Sequence, residues 1–156
     1  MPWDHVYHVA FVVPDLDVAI AGVGQQLGLS FAKPRTRSFE LRNAEGTSLA
    51  AEDSSDVYYV YSRGAPPYVE LIEAKSAGVW AADSGARIHH VGTWSDDIRS
   101  DARRLEERGF RIEAFGGVAG DGERFAYLTN DFGLRLELVD ASLREGLETR
   151  LRVAPV

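Results

Sequence analysis

The chain has 156 residues, 45% hydrophobic and 26% charged, enough for one domain with a real core or for two small fused modules. It contains no cysteine, which excludes disulfides, thiolate metal sites and cysteine nucleophiles. A net charge of −7 with no basic stripe argues against nucleic acid as a partner, and no apolar run reaches the ~20 residues of a membrane helix.

The opening stretch MPWDHVYHVA has no basic region followed by a long apolar one, so no secretory signal is expected and the chain reads as cytoplasmic. His5 to Val13 is β-branched and aromatic, a strand that Pro14 ends. Asp15 then caps a helix whose apolar positions are Leu16, Ala19, Ile20, Val23 and Leu27, and Gly28 closes it. Phe31 to Arg42 reads as strand broken at Lys33-Pro34, and 42–56 as a polar loop or ragged hairpin that could form a lid or pocket wall. VYYVYSR (57–63) and YVELIEA (68–74) are strands, and 75–87 is irregular.

The pattern then restarts. IHHVGTWS is a strand, Asp96 or Asp97 caps a helix with Ile98, Ala102 and Leu105 on its buried face, and Gly109 stops it. Three strands follow in FRIEAFGGV, RFAYLTN and LRLELVD, then a helix over 142–152. His8 to Leu16 and His90 to Ile98 are both eight residues; His8 to Gly28 is 20 and His90 to Gly109 is 19. This internal repeat predicts an α+β fold: two tandem βαβββ modules forming a curved mixed sheet around a central cleft, plus a C-terminal helix. The chain is expected to be a single domain over 1–156, with modules at 5–74 and 88–140 and a C-terminal helix and tail at 141–156.

Strand alternation sorts the faces. Val69 and Leu71, and Leu134, Leu136 and Leu138, should pack on helices, which turns Glu70 and Glu137 toward the concave side. His8, Ala10 and Val12 share the inner face of the first strand. Of the neighbours His89 and His90, alternation allows only one to face a given site, and the repeat makes His90 the counterpart of His8. Each repeat thus offers one histidine and one glutamate. Two imidazoles and two carboxylates balance a divalent cation and suit Zn, Ni, Co, Fe or Mn, whereas two bare inward carboxylates would repel. His8, Glu70, His90 and Glu137 are therefore the candidate metal ligands, leaving His5 and His89 as structural or supporting groups. By parity Glu73 belongs to the helix-packing face, near a strand end in solvent.

With these residues in hand, the chain resembles the vicinal oxygen chelate superfamily, which includes glyoxalase I, methylmalonyl-CoA epimerase, extradiol dioxygenases and the bleomycin and fosfomycin resistance proteins. YHVAFVVPDLDVA is similar to the first strand and helix, HHVGTWSDDI to the opening of the second module, and TNDFGLRLELVD to the close that carries the last ligand. The resemblance covers about residues 5–140 and implies that His8, Glu70, His90 and Glu137 are the ligands. This set is closest to bacterial glyoxalase I and methylmalonyl-CoA epimerase. It implies a metal-dependent isomerase, epimerase or lyase that moves a proton beside the carbonyl or enolate of a small carbonyl or thioester substrate, with Glu137 or Glu70 as the base. Tyr68 and Trp94 are expected on the inner face as pocket lining, and Arg135 to bind a substrate carboxylate or simply form an ion pair. Arg35 and Arg37 could meet an anionic tail such as coenzyme A, or be solvated loop charge. The alternatives are a non-catalytic, resistance-type protein binding a small apolar ligand between Trp80, Trp94 and tyrosines, and an Fe(II)-dependent extradiol-type dioxygenase. The family also implies a homodimer.

Overall fold

The computed structural model describes residues 2–49, 56–82 and 88–152. A mixed sheet of nine strands curves into a nearly closed barrel, with β1 (Val6–Val13) and β6 (Ile88–Ser95) as its antiparallel central pair. On one flank, β5 (Tyr68–Glu73) runs parallel to β1, followed by β4 (Asp56–Tyr61) and β2 (Arg35–Ser38). On the other, β9 (Arg135–Asp140) runs parallel to β6, followed by β8 (Phe125–Thr129) and β7 (Arg111–Gly117). Among the described residues no helix is long and apolar enough to cross a membrane.

The outer faces carry the helices. The helix α1 (Leu16–Leu27) starts at Asp15, whose carboxylate accepts from the Val18 amide, and ends at Gly28, which takes φ 66° where a side chain would be strained. Its Leu16 packs with Val60 and Leu71, and Ala19, Ile20 and Val23 join them; Leu27 instead points outward at 64% exposure. The helix α2 (Ile98–Glu106) repeats the device with Asp97, not Asp96, accepting from the Ser100 amide. Ile98, Ala102 and Leu105 bury against Leu136 and Leu138. Glu73 is not left to solvent: its carboxylate accepts from the Leu16 amide at 3.0 Å and so supports the start of α1, where the helix presents free amides.

Two features depart from the sequence expectation. The strand expected over 31–42 divides at Phe39, and β3 (Glu40–Arg42) leaves the first half of the sheet to pair with β7, at the edge of the second. Because β2 sits at the opposite edge, this short crossover draws the two edges together and closes the cleft on one side. Part of the 42–56 segment lies outside the described residues; its Leu49 packs into the inner core. The C-terminal helix α3 (Arg144–Leu151) lies over the hollow, with Leu143, Gly146, Leu147 and Arg150 facing the cavity at the spacing of one helix face.

Candidate metal centre

The central four strands, in the order β5-β1-β6-β9, carry Glu70, His8, His90 and Glu137, one each. Their register has a simple logic. Glu70 lies opposite Ala10, which lies opposite His90; His8 lies opposite Gly92, which lies opposite Glu137. Cross-strand partners face the same way, so each glutamate and histidine reach toward one another over a small residue between them. Glycine is obligatory in one of these rows, because a Cβ on Gly92 would overlap the His8 imidazole. Gly92→Ala is expected to displace His8 and cost at least about tenfold in metal affinity. A metal titration checks this, and wild-type affinity in that variant would show that the ring position does not matter.

All four groups are buried: His8 at 0% exposure, His90 at 1%, Glu70 at 6% and Glu137 at 8%. The two Nε2 atoms lie 2.8 Å apart. Glu70 Oε2 lies 3.2 Å from His8 Nε2 and 3.3 Å from His90 Nε2, and Glu137 Oε2 lies 3.4 and 3.3 Å from the same atoms. Ligands ~2.1 Å from a common ion are separated by ~3.0 Å at right angles and by ~3.4 Å at tetrahedral angles, so these edges fit a first-row divalent ion. All four side chains of this candidate site come from one chain.

The proton placement on His90 follows from its neighbours. His89 Nε2 lies 2.7 Å from the Val79 carbonyl, which only accepts, so that nitrogen carries a proton. His89 Nδ1 lies 2.8 Å from His90 Nδ1. Burial, followed by the neighbouring His90, lowers the His89 pKa to about 4, so His89 is neutral and its Nδ1 accepts from His90. The Nε2 lone pair of a neutral His90 is then free for a cation, the arrangement in which a supporting partner fixes a ligating imidazole. His8 Nδ1, by contrast, is buried with no hydrogen-bond partner among the described residues.

The facing of both neighbours corrects the alternation argument. His89 sits at a register shift between Ile88 and His90, and Tyr7 at a matching one between Val6 and His8. Each is a bulge immediately before a candidate ligand histidine, and a bulge turns consecutive side chains to the same side. His89 therefore packs against His90, and Tyr7 stacks on Trp94 with ring centroids 3.7 Å apart.

Burial opposes charging of His8 and His90, but Glu137 and Glu70 outweigh it, raising His8 and His90, the latter to about 9. Burial likewise opposes ionisation of the glutamates, and the imidazoles outweigh it: His8 foremost lowers Glu70, and His90 foremost lowers Glu137 far below the usual carboxylate range. Without metal, the two carboxylates favour the charged form of the imidazoles beside them. A raised His90 contributes stability fully below its ordinary value of 6.5 and loses it as pH rises through about 9. Metal-stripped protein should therefore melt at a lower temperature at pH 9.5 than at pH 6.5, while bound metal, which needs neutral imidazoles, should abolish that loss. Thermal denaturation with chelator and with metal reads both arms; a metal-free melting temperature unchanged across this range would contradict the charge assignment.

The cluster forms part of the floor of a cavity of about 480 Å³, to which Glu70, Glu137 and Trp94 all contribute, as does Trp80. Tyr68 shares the inner face but is not among the cavity-lining residues; it is buried in the inner core near charged groups of α3. Arg135 does not reach the cavity either: it makes a bidentate pair with Glu113, both bonds 2.7 Å, so the plain ion pair holds. Sequence reasoning missed Tyr61 and Tyr127, which lie opposite Glu70 and Glu137 in the next strands out and line the cavity. Alternation in YVY and FAY was the available signal. Trp80 Nε1 donates to the Tyr127 hydroxyl at 3.3 Å, and burial first, then the two glutamates, keeps that phenol protonated.

A mixed sheet curved around a buried pair of histidines and a pair of glutamates defines a vicinal oxygen chelate protein. The chain belongs to the Glyoxalase/Bleomycin resistance protein/Dioxygenase superfamily, whose model matches residues 7–127. A Streptomyces coelicolor methylmalonyl-CoA epimerase variant in complex with 2-nitronate-propionyl-CoA is similar over 87% of this chain and 96% of its own, with 17% identity and a TM-score of 0.58. The Mycobacterium tuberculosis methylmalonyl-CoA epimerase is 19% identical over 87% of each chain, with a TM-score of 0.58. A hypothetical protein from Bacillus halodurans C-125 is 16% identical over 86% of this chain and 92% of its own, with a TM-score of 0.56. At such identities the likeness is one of fold. Comparison with curated proteins finds no match.

Proposed function

We propose that the protein is a divalent-metal-dependent isomerase, epimerase or lyase that moves a proton next to the carbonyl of a small carbonyl or thioester compound. The observation that carries this reading is the convergence of His8, Glu70, His90 and Glu137 at coordination distances on the floor of a ligand-sized cavity. These four residues would hold the ion, and nickel, cobalt, zinc, manganese or iron all suit the donors. A divalent ion there supplies Lewis acidity toward a carbonyl oxygen and so acidifies the neighbouring C–H.

The chain's own residues supply the rest. Both glutamates turn Oε2 to the imidazoles and line the cavity, where a carboxylate can take or return a proton. Glu70 and Glu137 come from strands on opposite flanks of the histidine pair, so a proton removed on one side of a carbon can be returned on the other, as epimerisation requires. Trp80, Trp94 and Tyr61 exclude water from the apolar body of the ligand. The thioester option draws support from the epimerase neighbour whose complex contains a CoA ligand.

The test is solvent exchange. Protein in deuterium oxide is incubated with a panel of small ketones, aldehydes and thioesters, with each metal and with chelator, and proton resonances beside the carbonyl are followed. Metal-dependent loss of one such resonance is the expected result. No exchange from any compound, together with tight binding of a neutral aromatic by metal-free protein, would favour a non-catalytic binding protein instead.

A further inference from the structure

The cavity is acidic at its floor and apolar along its walls, yet away from the floor its lining carries four arginines, Arg35, Arg37, Arg124 and Arg150, against one carboxylate, Asp121. Arg35 and Arg37, two apart on β2, share the face that lines it, and Arg150 reaches it from α3. Several other arginines of this chain sit against carboxylates: Arg99 on Glu123, Arg135 on Glu113, Arg144 on Glu148 and, within the cavity lining itself, Arg124 on Asp140. Among the described residues, Arg35, Arg37 and Arg150 have no ion-pair partner, and Arg150 lies within electrostatic reach of both Arg35 and Arg37. Burial and then Arg35 lower the Arg150 pKa, so this grouping costs free energy in the ligand-free protein. In a chain with net charge −7 and carboxylates to spare, three guanidiniums gathered on one cavity call for an anion between them.

We infer that Arg35, Arg37 and Arg150 form a subsite for an oxyanion, carboxylate or phosphate ester, at the end of the substrate remote from the carbonyl held over Glu70 and Glu137. Three features of the cavity then match one amphiphilic molecule: a reacting carbonyl at the floor, an apolar body along Trp80 and Trp94, and an anionic terminus at the arginines. The position of the reacting end rests on the proposed function; the anion subsite does not. It also gives α3 a role, since the helix contributes Arg150 from the face that covers the cavity.

The experiment uses the full chain stripped of metal, titrated with malonate, glycerol 3-phosphate and, as a neutral control, glycerol. Binding is followed through the arginine Nε–H resonances and tryptophan fluorescence. Saturable binding of at least one anion, and none of glycerol, is expected. Arg37→Gln and Arg150→Gln should each weaken it by at least about tenfold, and Arg37→Lys by less. Arg99→Gln, which removes a pair elsewhere on the surface, should leave it unchanged. The anion that binds more tightly identifies the terminus as carboxylate or phosphate. Absence of saturable binding by both anions, or equal binding by wild type and the Arg35/Arg37/Arg150 triple glutamine variant, would overturn the inference. Metal content measured on the same variants separates this outcome from failure of the metal site, because the arginines are not ligands and their variants should load metal as wild type does.

Discussion

Replacing His90 with alanine is expected to abolish stoichiometric metal binding, whereas replacing His89 leaves one ion per chain and weakens its affinity by about 10–100-fold. The two residues are adjacent, buried and on the same side of the sheet, so loss of bulk or of strand geometry would affect them alike. What separates them is the direction of the nitrogens. His90 presents Nε2 to the other ligands, while His89 presents Nδ1 to His90 and Nε2 to a backbone carbonyl. His90→Ala also leaves Glu70 and Glu137 buried with one imidazole fewer, and losing a partner from a buried charge cluster costs about 3–5 kcal/mol. The metal-free variant should thus unfold at a distinctly lower denaturant concentration. Metal analysis and equilibrium unfolding read the two effects, and equal metal content in both alanine variants would refute the assignment of ligand and support.

The second large effect concerns the glutamates. A glutamine at either position keeps a ligating oxygen but cannot take a proton, so the variant of the catalytic base should retain metal and lose about 10²–10⁴-fold in deuterium exchange. Glu70→Gln and Glu137→Gln are compared with the same compound and metal. If both sides of the reacting carbon are served, inversion of configuration fails in both variants while exchange fails in one. Wild-type exchange in both would remove the carboxylates from the chemistry.

The glutamates were legible because β5 and β9 are regular strands in which Glu70 and Glu137 each stand between two apolar neighbours, and an unpaired buried charge is expensive. The capping aspartates and the glycine after α1 were legible for the same reason: each acts through its immediate neighbours. The histidines were found through the repeat, but strict alternation failed at His89 because a bulge depends on the register with β1, which local pattern does not carry. Non-local pairing also hid the passage of β3 to the far edge of the sheet, and hence the closure of the cleft. Tyr68 was preferred over Tyr61 and Tyr127 because parity identifies a face without showing how far along it the cavity extends. Arg135 found a partner in Glu113 across the sheet, while Arg35 and Arg37, whose residue type is more often plain solvated loop charge than a tail-binding group, line the cavity. The face of α3 was obscured because leucine, glycine and arginine together look weakly amphipathic when they cover a cavity instead of a core.

Anomalous X-ray diffraction from crystals loaded with nickel or cobalt tests the central claim most directly. One anomalous peak per chain is expected, about 2.1 Å from Nε2 of His8 and of His90 and from a carboxylate oxygen of Glu70 and of Glu137. A peak elsewhere on the protein, or none at these four residues in crystals that have taken up the metal, would contradict it.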